Sequence, residues 1–452
     1  MRGSEPSALA QRLYQTRTLV ASAADISAGK TSCEELTKQC LDRLGDVEPA
    51  IRAYLSVDDA AALFFARPLD QEMAAGRCRG PLHGIPIAVK DVIDVEGMRT
   101  TAGSKVLAKQ RPATADSAII RALRSAGAVV IGKTNTHEFA NGATTPPTRN
   151  PLDTRRIAGG SSGGSAAAIA SGSAVVGVGT DTGGSVRLPA ALCGIAGFRP
   201  RRTPVADLSG VVPLAPEFDQ WGLMAASAED LEIAWRALSG SPKPPAQHLR
   251  IVAPLVLDRC LPMVDESVAA AFESALSALA GSGFEIRREP MPDFIHWQPP
   301  RMAIQMSQAL EAHRRAGWWP AMRDRYSDEV RRNFEVAEEK RADLDDARRR
   351  LGELDGRIDE LLRGLTVIAV PTVPVKAPLV SDVEAMPRGA SGRHPIVGVL
   401  AAATLPFSRA GLASLAVPCW PEADDLPASI QFVAHDESLV FAAARAVPRR
   451  FS

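Results

Sequence analysis

Two glycine-serine clusters and one lysine are the residues here whose types and spacing could do chemistry. The clusters are Gly159-Gly160-Ser161-Ser162-Gly163-Gly164-Ser165 and Gly179-Thr180-Asp181-Thr182-Gly183-Gly184-Ser185-Val186-Arg187; Lys90 ends the run Ile85-Pro86-Ile87-Ala88-Val89-Lys90. A serine hydroxyl is a weak nucleophile until a neighbour takes its proton, and no histidine is placed to do so. A lysine can serve if burial disfavours its ammonium form. The apolar or small residues 85–89 favour a buried Lys90, whereas Asp91 would oppose the shift if its carboxylate faced the amine. Taken singly, each cluster reads as a flexible loop and Lys90 as a surface lysine.

Three conventional sites can be weighed against this. Gly160-Ser161-Ser162-Gly163-Gly164 fits the G-x-S-x-G nucleophile elbow with Ser162 as nucleophile, but an elbow needs a strand before it, and residues 153–158 are polar with no β pattern. Neither cluster supplies the lysine of a phosphate loop. The seven histidines are dispersed, and His137-Glu138 lacks the second histidine of a zinc helix, so we expect no metal and a structural His137.

The surrounding pattern alternates helix and strand. Apolar residues recur at helical spacing over 19–75, with Thr31 and Ser32 as an N-cap before Glu34 and Glu35. A strand should end near Lys90, a helix cover 117–126 and a strand follow at 128–132. Residues 141–164 read as a long loop, and 166–171 as a small-residue helix whose N-terminal N–H groups face Ser161 to Ser165. Residues 328–365 form a charged helical stretch with Leu344, Leu351, Leu354, Ile358 and Leu361 on one side. Strands should follow at 365–371 and 428–434.

Composition narrows the setting. The 452 residues carry 52 basic and 52 acidic side chains, which favours neither nucleic acid nor an anionic membrane as partner and points to a small ligand. Six scattered cysteines without C-x-x-C spacing suit a reduced, cytoplasmic chain. The N-terminus lacks the apolar run of a signal peptide, and no stretch reaches the roughly 20 apolar residues that cross a bilayer.

Pro86-Ile87-Ala88-Val89-Lys90-Asp91, the 159–165 cluster and Asp181-Thr182-Gly183-Gly184-Ser185-Val186-Arg187-Leu188-Pro189-Ala190, in that order, resemble the amidase signature family. The similarity continues through Gly132-Lys133-Thr134-Asn135, Arg149-Asn150-Pro151, residues 193–198 and 210–214, and Val370-Pro371-Thr372, so it covers most of the chain. The resemblance implies an α/β fold, a large mixed sheet covered by helices on both faces. It implies one domain over 1–452, with a helical lead-in to about 75, a signature core to about 225, a more variable helical region to about 365, and returning strands with a pocket segment beyond.

It also assigns roles: Ser185 as nucleophile, Ser161 after a cis peptide bond as proton bridge, and Lys90 as base, with no cofactor. Thr182, Gly183 and Gly184 would supply oxyanion-hole N–H groups. Asp181, Arg187 and Ser162 would support the loop, and Cys193 would pack in the core. The activity implied is hydrolysis of a small-molecule carboxamide, and homodimers are common among such enzymes. The alternative is the A-type glutaminase subunit of a tRNA-dependent amidotransferase, which works with partner subunits. There an aspartate holds the substrate amino group, and this chain has Ala401. Two further departures bear on substrate: segment 143–148 is shorter than in most members, which should alter the pocket mouth, and Arg409 stands where members are usually apolar, as if to meet a substrate carboxylate.

Overall fold

The computed structural model describes residues 8–202, 207–240, 249–339, 343–387, 394–420 and 426–448. Its strands are β1 (Tyr54–Val57), β2 (Pro86–Lys90), β3 (Val129–Thr134), β4 (Arg149–Asn150), β5 (Asp153–Ile157), β6 (Val176–Thr180), β7 (Ala196–Arg199), β8 (Trp221–Ala225), β9 (Arg250–Pro254), β10 (Glu285–Glu289), β11 (Thr366–Pro371), β12 (Ala413–Cys419) and β13 (Ala428–Ala434). Eleven of them form one mixed sheet in the order β1-β3-β2-β6-β8-β7-β12-β13-β11-β9-β10, while β4 and β5 pair separately.

Successive side chains of a strand point to opposite faces. In β2, Ile87 and Val89 join one apolar cluster with Ile120 and Leu123 of the helix Ala118–Ser125, whereas Ala88 joins another with Ala166 and Ile169 of the helix Gly163–Ala170. Helices therefore cover both faces, which is why β2 and β6 are buried along their whole length.

Most elements lie where their residues lead one to expect. Ser32 caps the helix Cys33–Ile51 by accepting Glu35 N–H at 3.0 Å, and β13 spans residues 428–434. Leu351 and Ile358 are buried along the charged stretch, which contains two helices, Asp328–Glu339 and Leu344–Leu361, the second capped by Asp343. Three expectations need correction. The helical lead-in is interrupted by β1. The segment read as a loop holds the β4–β5 hairpin, so residues 153–157 are a strand after all. Asp153 pairs with Arg155 at 2.9 Å and Arg156 at 3.1 Å, and this polar hairpin needs no apolar alternation. The small-residue helix begins at Gly163 rather than 166. Among the described residues no helix is long and apolar enough to cross a membrane.

Candidate active site

Strands β2 and β6 run side by side in parallel, with Val89 opposite Val178, so their last residues, Lys90 and Thr180, reach the same sheet edge. Lys90 is 0 % exposed. Its Nζ lies 2.7 Å from Ser161 Oγ and 2.8 Å from Thr180 Oγ1. Burial pushes its pKa down to about 7 against the opposing pull of the Asp181 and Asp219 charges. Asp91 does not add to that pull: its carboxylate meets buried Lys133 at 2.8 Å.

Ser161 follows a cis Gly160–Ser161 bond. A side chain at Gly160 would run into the backbone of Thr144, so only glycine fits. The Ser161 carbonyl accepts His137 N–H and the Thr145 hydroxyl, each at 3.1 Å, which fixes the segment from two sides. Next to it, Ser162 donates its hydroxyl to the Thr180 carbonyl at 3.3 Å and its N–H to the Ser185 carbonyl at 3.2 Å. That backbone bond joins the two clusters. Ser162 is fully buried with its hydroxyl committed, whereas Ser185 is 9 % exposed and lines a cavity, so access favours Ser185 over the elbow reading. Ser185 Oγ has no hydrogen-bond partner among the described residues: the Lys90–Ser161 link is closed, and the Ser161–Ser185 link is open.

The loop after β6 has every carbonyl tied. Thr182 O accepts from Arg301 Nη2, Gly183 O from the Thr404 hydroxyl at 2.7 Å, Gly184 O from Leu188 N–H at 2.7 Å, and Ser185 O from Ser162. A trans peptide points its N–H opposite to its C=O, so holding the carbonyls aims the N–H groups. Asp181 accepts Gly184 N–H at 2.8 Å. Gly184 is therefore removed from the expected donor set. The N–H groups of Thr182, Gly183 and Ser185 bond no acceptor among the described residues.

Asp181 and Arg187 form a fully buried pair at 2.9 Å. Burial pushes the Asp181 carboxyl up, but the Arg187 guanidinium, with Arg199 behind it, outweighs this and holds it at about 2. Arg187 also donates to Gln431 at 2.9 Å and to Ser408 at 2.6 Å, linking the loop to β13. Thr182 donates its hydroxyl to Asp219 at 2.6 Å, and burial raises the Asp219 carboxyl.

The cavity at Ser185 is bounded by Thr182 and Gly183, by the apolar Leu188, Leu214, Val397, Ala401 and Leu405, and by Gln305. Ala143 lines it too, while Pro146 and Pro147 line a separate cleft with Thr136 and His137. Arg409 does not line this cavity. Its guanidinium grips Asp359, with Asp355 at 3.8 Å, so the expectation that it meets substrate is corrected: the side chain already has carboxylate partners within the protein. Cys193 is buried, and burial raises its thiol pKa, in keeping with a packed residue. Thr404 comes from the expected pocket segment, whereas Thr180, Asp219, Arg301 and Gln305 join the site without having been expected there. Of these four, Thr180 lies within one of the two clusters, and the other three carry no local signal.

The amidase family model matches residues 35–438. The A-type subunit of glutamyl-tRNA(Gln) amidotransferase from Roseiflexus castenholzii is 35% identical over 482 aligned positions, covering 95% of this chain and 94% of the relative. The same-named protein of Chloroflexus aurantiacus is 46% identical over 228 positions, but that alignment spans only 49% of this chain and 46% of the relative, about half of each. A crystal structure of an amidase superposes with a TM-score of 0.82 at 31% identity, covering 95% of this chain and 98% of that one.

Proposed function

The chain belongs to the amidase family, enzymes that hydrolyse C–N amide bonds, and from that membership we propose that it cleaves a small, uncharged carboxamide through an acyl-enzyme on Ser185. Neutral Lys90 takes the Ser161 proton as Ser161 takes that of Ser185, and Ser185 Oγ attacks the carbonyl carbon. The oxyanion is met by free N–H groups among Thr182, Gly183 and Ser185. Ser161 then returns a proton to the departing amine. Water, deprotonated through the same relay, releases the carboxylate. The observation that carries this reading is the buried Lys90 amine, held 2.7 Å from Ser161 Oγ with its pKa pushed down to about 7. The single eleven-stranded sheet, running from β1 at one edge to β10 at the other, supports treating 1–452 as one domain. Ammonia release by the purified chain from a panel of neutral, acidic and aryl amides tests the proposal, and turnover of none of them ends it.

A second reading is favoured by the relatives: a glutaminase subunit that passes ammonia to partner subunits, as the shared name of the Roseiflexus and Chloroflexus proteins suggests. The cavity argues the other way, because glutamine brings a charged α-amino and α-carboxylate group, and no charged side chain among the described residues lines it. Turnover of glutamine alone, and only with added amidotransferase partners, would select the second reading.

A further inference from the structure

Gln305 sits on the helix Gln298–Arg315, is 6 % exposed and lines the cavity at Ser185. Other glutamines of that helix are committed within the protein: Gln298 donates to the Gly398 carbonyl at 2.9 Å, and Gln308 donates to Glu217 at 2.8 Å and accepts Glu217 N–H at 3.1 Å. Gln305 has no such partner among the described residues, and its amide atoms are not sealed off by protein. The cavity that Gln305 lines is where a partner can reach them.

A primary amide that faces a cavity bonds water there, and a ligand group that displaces this water keeps its affinity only by replacing those hydrogen bonds. Apart from the backbone and hydroxyls of Thr182 and Ser185, the rest of the polar lining is this one amide, set among aliphatic side chains. We propose that Gln305 determines substrate choice by hydrogen-bonding an uncharged polar group, a hydroxyl or a second carboxamide, on the acyl portion of the substrate. A carboxylate or ammonium group at that place would lose its water without gaining a counter-ion, so charged tails are rejected. This rests on Ser185 being the attacking residue, because it fixes which part of the amide enters this cavity.

The test compares isosteres: 4-hydroxybutanamide, pentanamide and the charged succinamate. Dissociation constants are measured calorimetrically on the inactive Ser185→Ala protein, and kcat/KM on the native chain. Expected is a preference of about tenfold for 4-hydroxybutanamide over each of the others, the size of one hydrogen bond in a dry site. Adding Gln305→Leu should abolish or reverse that preference with Tm kept. Gln305→Glu, which keeps the shape, should admit the cationic 4-aminobutanamide. An unchanged ratio in Gln305→Leu, no preference in the parent, or binding of none of the three overturns the proposal. Selective binding that Gln305→Leu abolishes, without ammonia release from the native chain, would sink the hydrolase reading and keep only the ligand selection by Gln305.

Discussion

Asp181 Oδ1 accepts the backbone N–H of Gly184 at 2.8 Å, and that single bond decides which peptide groups of the loop remain open to a ligand. The same carboxylate carries the buried Arg187 at 2.9 Å, so loop shape and ion pair are one unit. Asp181→Asn would leave Arg187 buried without its counter-charge, a loss on the order of 3–5 kcal/mol. The urea midpoint should fall accordingly, and kcat with it, because the donors beside Ser185 lose their frame. A variant as stable and as active as the parent would show that the pair is dispensable.

The pH profile follows from Lys90. Only the neutral amine accepts a proton, so kcat/KM should rise about tenfold per pH unit below about 7 and level off above it. Stability should follow a related course. The folded pKa of about 7 lies below the ordinary lysine value of 10.5, so between them the unfolded chain binds more protons and stability rises with pH. The burial penalty is complete below about 7 and is relieved by about 10.5. Comparing urea unfolding of the parent and Lys90→Met at about pH 6 and about pH 10 checks this: the parent should gain relative to the variant at the higher pH.

Thr180→Val keeps shape but removes the second acceptor of Lys90 Nζ. A hydroxyl acceptor favours the ammonium form, so its loss should move the kcat/KM midpoint to lower pH, by less than about one unit. A midpoint moved upward would contradict the hydrogen-bond assignment.

Arg409→Ala should leave KM for acidic and neutral amides alike, because the guanidinium faces Asp359 and Asp355. Its pair with half-exposed Asp359 is worth about 0–1 kcal/mol, so Tm should move little. A selective rise in KM for acidic amides would restore a substrate role.

What the sequence disclosed was local. Strand β13 and the end of β2 at Lys90 follow from β-branched and apolar runs bounded by turn residues, and the two clusters mark themselves by composition. The β4–β5 hairpin stayed hidden because its polar Asp153–Ile157 strand has little apolar face to betray it. The groups that tie the loop, Arg301 and Thr404, lie more than 100 residues beyond Thr182 and Gly183, and only the tertiary fold brings them together. Arg409 misleads for the complementary reason: a charge at a usually apolar position says nothing of Asp359, which reaches it from the helix Leu344–Leu361.

The most direct measurement is the rate and position of fluorophosphonate labelling across pH. The account predicts an adduct on the peptide containing Ser185, a labelling rate that rises to a plateau with a midpoint at about 7, and a rate lowered by about 10²–10⁴ in Lys90→Met. An adduct on Ser162, or labelling that ignores both pH and the loss of Lys90, would contradict it.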